Sequence, residues 1–207
     1  MEHHTLFAFP FACSMAVHQT LLQHRVPFEL QWMQRGPLRK VKDVDYDAVN
    51  PKRKVPALRL PDGEVLTEAV GVLLYLDETY AGSRPPAQRR RLIEWLSFVA
   101  TELHQQVLGP AFDLQTPEAV RLDGRRMLPP VLAHLEQTLT DRETLLGDAQ
   151  PSGADAYAFW ALTLLRNLWP ETVSTPALTA YRRRMRAHDF VGATLQRERE
   201  AMMAAAG

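Results

Sequence analysis

The sequence predicts an α/β part over about the first 80 residues, in the order β-α-β-α-β-β-α, followed by an all-α part from residue 88 onward. Three observations carry this. Short strand-like runs alternate with helical spacing before residue 80, the break Ala81-Gly82-Ser83-Arg84-Pro85-Pro86 then interrupts the pattern, and only helical periodicities follow it. Residues 81–87 read as a linker between a domain at 1–80 and a domain at 88–207. With 207 residues, 46% of them hydrophobic and 23% charged, the chain has enough apolar side chains for a substantial core.

Residues 5–9 read as the first strand, Pro10-Phe11-Ala12 as a loop, and residues 14–24 as a helix that buries Ala16, Val17, Thr20 and Leu21. Cys13 therefore stands at a helix N-terminus. Residues 28–32 alternate apolar and polar side chains as a second strand, the Pro-containing segment 34–42 is an exposed connection, and a short helix follows near 43–49. Ala57, Leu58 and Leu60 form a short strand entered through Pro56, and Pro61-Asp62-Gly63-Glu64 is a tight turn in which Asp-Gly supplies positive φ angles. Val65 and Leu66 pair back. Thr67 is expected to cap a helix with Glu68 in its first turn, and Val70, Leu73, Leu74 and Leu76 continue at helical spacing. The order is thioredoxin-like, and its βαβ crossover requires a parallel strand pair.

Helical patterns then run near 88–108, 118–139, 154–168, 176–187 and 189–204. Pro129-Pro130 should kink or break the second, and Trp169-Pro170 ends the third. Ser152-Gly153-Ala154-Asp155 forms a capping box whose carboxylate reaches back to the N-cap residue, a structural role.

Twenty-four basic residues balance twenty-four acidic ones, so no overall positive field recommends nucleic acid or an anionic membrane as partner. No run approaches the roughly 18–20 apolar residues of a membrane span, and the N-terminus lacks the pattern of a secretory signal, which leaves the cytoplasm as the expected location. A single cysteine excludes an internal disulfide framework, and the scattered histidines match no metal-ligand spacing, so no metal is expected.

The junction of the proline-entered strand with the following helix has a chemical use. Free backbone N–H groups at residues 68–70 form an anion site, and the extended backbone before Pro56 can pair with a peptide, so a small acidic peptide satisfies both. Val55-Pro56 is a step where a cis peptide bond could sit, an ordinary trans proline being the plainer alternative. Cys13 at a helix N-terminus has the setting that lowers a thiol pKa; the alternative is a buried cysteine acting as a small hydrophobe. Ser97, Thr101 and His104 fall on one helix face at spacings of four and three, either a ligand-facing patch or a plain polar stripe. His104 is suited to carry a proton near neutral pH.

Asn50-Pro51-Lys52, Lys54-Val55-Pro56-Ala57-Leu58, Asp62-Gly63, Leu66-Thr67-Glu68 and Tyr75-Leu76, taken in order, resemble the glutathione-binding domain of the cytosolic glutathione transferases. Ala12-Cys13-Ser14, the run Ala100-Thr101-Glu102-Leu103-His104 and the capping box are similar to the bacterial beta class of that family, so the likeness spans nearly the whole chain. The resemblance implies glutathione as co-substrate, held in a cleft between the two domains, a small hydrophobic electrophile as second substrate, and a homodimer. It implies Cys13, Ser14 and His104 as catalytic residues. It gives Glu68 the γ-glutamyl amino group, the backbone of Ala69 the γ-glutamyl carboxylate, and the Val55 backbone before Pro56 the cysteinyl unit. Lys54, or Leu38 and Lys40, would border the glycyl end, and the face of Ser97 and Thr101 would close over the ligand.

Three positions depart from the family pattern. Ala8 stands where many members carry tyrosine, Phe11 replaces a common glycine, and Ala69 replaces a serine whose hydroxyl binds the γ-glutamyl carboxylate. Two further readings remain beside the transferase: a glutathione-dependent thiol-disulfide oxidoreductase using Cys13 with glutathione as resolving thiol, and a non-catalytic binding protein of the same fold.

Overall fold

The structure is a computed structural model, described over residues 3–34, 36, 41–113 and 115–205. The chain forms two compact units. One comprises the described residues through Ser83 together with those from Asp189; the other is Arg84–His188.

The first unit is built on a four-stranded sheet. Strands β1 (His4–Ala8), β2 (Phe28–Trp32), β3 (Ala57–Arg59) and β4 (Val65–Thr67) lie in the order β2-β1-β3-β4. β1 pairs parallel with β2 and antiparallel with β3, which pairs antiparallel with β4. All five β1 residues are buried, as an interior strand with both faces covered requires. Helix α1 (Ser14–Gln23) makes the crossover to β2 and packs against α2 (Ala69–Tyr80). A 3₁₀ turn (Val44–Ala48) begins at Asp43, whose carboxylate accepts from the Asp45 N–H at 3.0 Å. Between β3 and β4, Gly63 takes φ 94° and Asp62 Oδ1 accepts from the Glu64 N–H, the turn read from Asp-Gly.

Thr67 does not cap α2 as expected. It ends β4, and the N-cap is Glu68, at φ 68° and ψ 124°. Helix α8 (Asp189–Ala204) also departs from a division at 88–207: it packs on α1 in the first unit. The reason is chemical. His18 of α1 and Glu198 of α8 are both fully buried, with Nδ1 and Oε1 3.0 Å apart, and each is the polar partner that makes burial of the other tolerable.

The second unit is helical. Helix α3 (Pro86–Phe98) runs straight into a ten-residue π-helix (Val99–Leu108) and the short α4 (Gly109–Phe112), followed by α5 (Glu118–Thr140), α6 (Gly153–Leu168), a 3₁₀ turn (Pro170–Val173) and α7 (Pro176–Arg186). α6 is buried over most of its length and carries the capping box: Asp155 Oδ2 accepts from the Ser152 N–H at 2.8 Å and from Ser152 Oγ at 2.7 Å. Its other oxygen accepts from the Leu145 N–H and the Tyr181 hydroxyl. α5 continues through Pro129 and Pro130, so of the expected kink or break the break does not occur. Both prolines are exposed, and so are Arg125 and Arg126, one turn earlier, whose carbonyls lose their helical donors to the prolines.

Candidate functional site

The first cluster of expected site residues lies where β1 passes the chain to α1. Phe11 takes φ 55° and Cys13 stands at the α1 N-cap. Side chains brace this loop: Ser14 Oγ donates to the Phe9 carbonyl at 3.2 Å and accepts from the Phe9 N–H at 3.3 Å, and Glu198 Oε2 accepts from the Phe11 N–H at 2.7 Å. Left-handed backbone at a side chain other than glycine costs about 1–3 kcal/mol. It persists because the buried carboxylate of α8 fixes that amide. Ser14 is therefore not placed as a hydroxyl donor to a ligand thiolate: it is fully buried, and its oxygen braces the loop from within.

Cys13 is 8% exposed, and its S–H donates to the Val55 carbonyl at 3.4 Å. The chain's one thiol thus faces the backbone step that the sequence singled out. The Val55-Pro56 bond is cis. Immediately before it, the Tyr46 hydroxyl at 3.0 Å and Asn50 Nδ2 at 2.8 Å both donate to the Lys54 carbonyl. Burial pushes the Tyr46 phenol up to about 12, against the pull of Asn50, so it remains a protonated donor throughout the neutral range. Among the described residues the Val55 N–H has no acceptor, and Val55 is half-buried, which leaves a backbone donor for an incoming extended peptide.

The register of the sheet brings the helix start to the same end. Ala57 lies opposite Thr67, so Val55-Pro56 and Glu68-Ala69 flank adjacent strand ends. Glu68 exposes its carboxylate, which pairs with Lys52 Nζ; that ammonium also donates to Thr67 Oγ1 at 2.8 Å. Ala69 is buried and offers only its backbone. With Glu68 as N-cap, the amides that lack intrahelical acceptors are those of residues 68–71, which include the expected 68–70. Lys54 is exposed, while Leu38 and Lys40 lie outside the described residues.

In the helical unit the expected single face divides. Ser97 is on α3, Thr101 and His104 on the π-helix, and Thr101 Oγ1 donates to the Ser97 carbonyl at 3.1 Å. Ser97 and Thr101 are exposed, whereas His104 is half-buried, its Nδ1 2.6 Å from the Tyr157 hydroxyl and its ring edge-on to Trp160 at 4.7 Å. Wider π turns break the α-helical alignment of positions three and four apart, so the spacing that put His104 on the Ser97–Thr101 face does not hold. Several residues that shape the site carried no sequence signal of their own. Glu198 acts on Phe11 and His18 from 187 and 180 positions away, and Tyr46 became visible only through its partner.

Among the described residues no group of three His, Cys, Asp or Glu side chains is placed to hold a metal, and no helix is long and apolar enough to cross a membrane. Residues 12–79 match the glutathione S-transferase N-terminal domain family and residues 93–189 the corresponding C-terminal domain family. The glutathione S-transferase GstA of Escherichia coli O157:H7 is 37% identical over 172 residues, spanning 79% of this chain and 85% of that protein. The beta-class glutathione S-transferase of Sphingomonas chungbukensis superposes with a TM-score of 0.84 at 33% identity, over 94% of this chain and 98% of its own. A sphingomonad glutathione S-transferase solved in complex with glutathione gives a TM-score of 0.80 at 32% identity over the same shares. Similarity of this extent in both units shows that the chain belongs to the glutathione S-transferase family.

Proposed function

We propose that the protein conjugates the thiolate of glutathione to a small, apolar electrophile, as a cytoplasmic homodimer. The observation that carries this is the approach of the Cys13 thiol to Val55, whose N–H has no acceptor among the described residues and is an edge donor for the cysteinyl unit of the tripeptide. In this reading the γ-glutamyl carboxylate lies on the amides of Ala69 and Val70 at the α2 N-terminus, and Glu68 takes the γ-glutamyl amine, which then competes with Lys52. Lys54 borders the glycyl carboxylate, with Leu38 and Lys40 from the preceding connection. The glutathione sulfur sits beside Cys13, whose S–H turns from the Val55 carbonyl to the thiolate. Ser97 and Thr101 offer exposed hydroxyls to the ligand, and His104, oriented by Tyr157, serves as proton donor.

A second reading uses the same thiol as nucleophile. The Cys13 thiolate attacks a glutathione mixed disulfide, a Cys13–glutathione S–S bond forms as the substrate thiol leaves, and a second glutathione thiolate releases Cys13 as glutathione disulfide forms. Three assays on wild type and Cys13→Ala separate the readings: retention on immobilised glutathione, conjugation of a model aryl halide, and thiol–disulfide exchange. The transferase reading expects retention and conjugation in both proteins, weaker in the variant. Exchange without conjugation would favour the redox reading, and absence of retention would contradict both.

A further inference from the structure

Arg182 is 8% exposed and has no hydrogen bond or ion pair among the described residues; its Nε is buried without an acceptor. A guanidinium does not shed its proton at any ordinary pH, so a buried one is normally matched by a carboxylate. Here the charges acting on it are of its own sign. Burial first, then Arg166 and Arg186, push Arg182 below the usual arginine range. Arg186 lies one turn further along α7, on the same side as Arg182, and Arg166 is in the last turn of α6. Neither has an acidic partner among the described residues. One turn before Arg166, on the same side of α6, the Thr163 hydroxyl is also buried and unpartnered. By contrast Arg184, beside them in sequence, is satisfied by the carbonyls of Arg142 and Glu143.

We propose that Arg166, Arg182 and Arg186 form a binding site for a tetrahedral oxyanion of the phosphate or sulfate class, with the Thr163 hydroxyl as a further donor. Guanidinium forks match the paired oxygens of such an anion, and bound anion removes the mutual repulsion of three like charges. The site stands on α6 and α7, elements other than those that carry the expected glutathione residues, and goes beyond the transferase reading.

Thermal unfolding of the full chain tests it, in potassium phosphate against potassium chloride at matched pH and ionic strength. Phosphate should raise the midpoint temperature of wild type along a saturating curve. Arg166→Ala and Arg186→Ala, both at exposed positions, should weaken the half-saturating concentration by about tenfold or more, as loss of a charge-assisted hydrogen bond requires. Arg182→Met keeps the apolar stem and should abolish the phosphate effect. Glycerol phosphate in place of inorganic phosphate distinguishes a phosphomonoester from the free anion, both within the proposed class. A phosphate effect that fails to saturate, or that is equal in wild type and all three variants, is a bulk salt effect and overturns the site. So would a response to neither phosphate nor sulfate.

Discussion

Glu198→Ala should destabilise the protein by about 3–5 kcal/mol, the cost of removing one member of a buried polar pair. The magnitude follows from what the carboxylate touches. Its Oε1 lies 3.0 Å from His18 Nδ1 with both side chains fully buried, and its Oε2 accepts from the Phe11 N–H at 2.7 Å. Truncation removes that charge-assisted hydrogen bond, about 1.5–3 kcal/mol by itself, at a residue already held at φ 55°. The two contributions share one side chain and overlap rather than add. Glu198→Gln keeps the shape and one carbonyl oxygen for the Phe11 amide and should cost about 1–2 kcal/mol, because a hydrogen bond to a charged group becomes one to a neutral group. Urea unfolding with a two-state fit reads both values. A second readout concerns the loop: because the chain has one cysteine, alkylation followed by mass spectrometry reports Cys13 alone. Glu198→Ala should speed alkylation under conditions where the folded fraction matches wild type. Leu195→Ala, which thins α8 packing but keeps the carboxylate that bonds the Phe11 amide, should not. A Glu198→Ala variant within 1 kcal/mol of wild type, or equal acceleration by Leu195→Ala, would refute the role of α8 as a brace for the thiol loop.

Glu68→Gly should be neutral or stabilising by about 1 kcal/mol, since glycine adopts φ 68° without penalty, while glutathione retention falls; a loss of stability above 1 kcal/mol contradicts the strain assignment. Two helical glycines should respond oppositely to alanine in thermal unfolding. At Gly192 nothing lies within 4 Å of the new Cβ, so Gly192→Ala should gain about 0.5–1 kcal/mol. At Gly124 the Cβ would stand 3.0 Å from the Gln106 carbonyl oxygen, backbone that cannot swing aside, so Gly124→Ala should destabilise despite the same propensity gain. His4 tests a pH dependence. Burial holds its imidazole below the model-compound 6.5, so the unfolded chain binds the proton more tightly, and stability is lost as pH falls from 6.5 through the folded value. The advantage of wild type over His4→Gln in urea unfolding should shrink on acidification below that point, and an advantage that grows would reverse the sign.

The sheet was legible because each strand carries its own signal. Alternation at 28–32, the Asp62-Gly63 turn and the proline entry at 56 are local, and the structure keeps all three. The capping box at Ser152 was legible for the same reason. Non-local chemistry was hidden. Nothing near Glu198 indicates that its carboxylate will hold an amide in the first loop, and nothing near Ser14 indicates that its hydroxyl closes back on Phe9. His104 illustrates a different limit. Spacings of three and four imply a shared face only while the helix stays α, and the π-helical stretch removes that premise without any glycine or proline to announce it between residues 99 and 108. The departures Ala8, Phe11 and Ala69 were visible as letters, but only the geometry gave Phe11 a consequence: a left-handed residue that needs an acceptor from α8.

A crystal structure with bound glutathione tests the proposed binding mode most directly. The tripeptide should lie along Val55-Pro56 with its carboxylate on the amides of Ala69 and Val70 and its sulfur within hydrogen-bond or disulfide reach of Cys13 Sγ. Glutathione bound elsewhere, or bound there with its sulfur turned from a Cys13 still donating to the Val55 carbonyl, would contradict it.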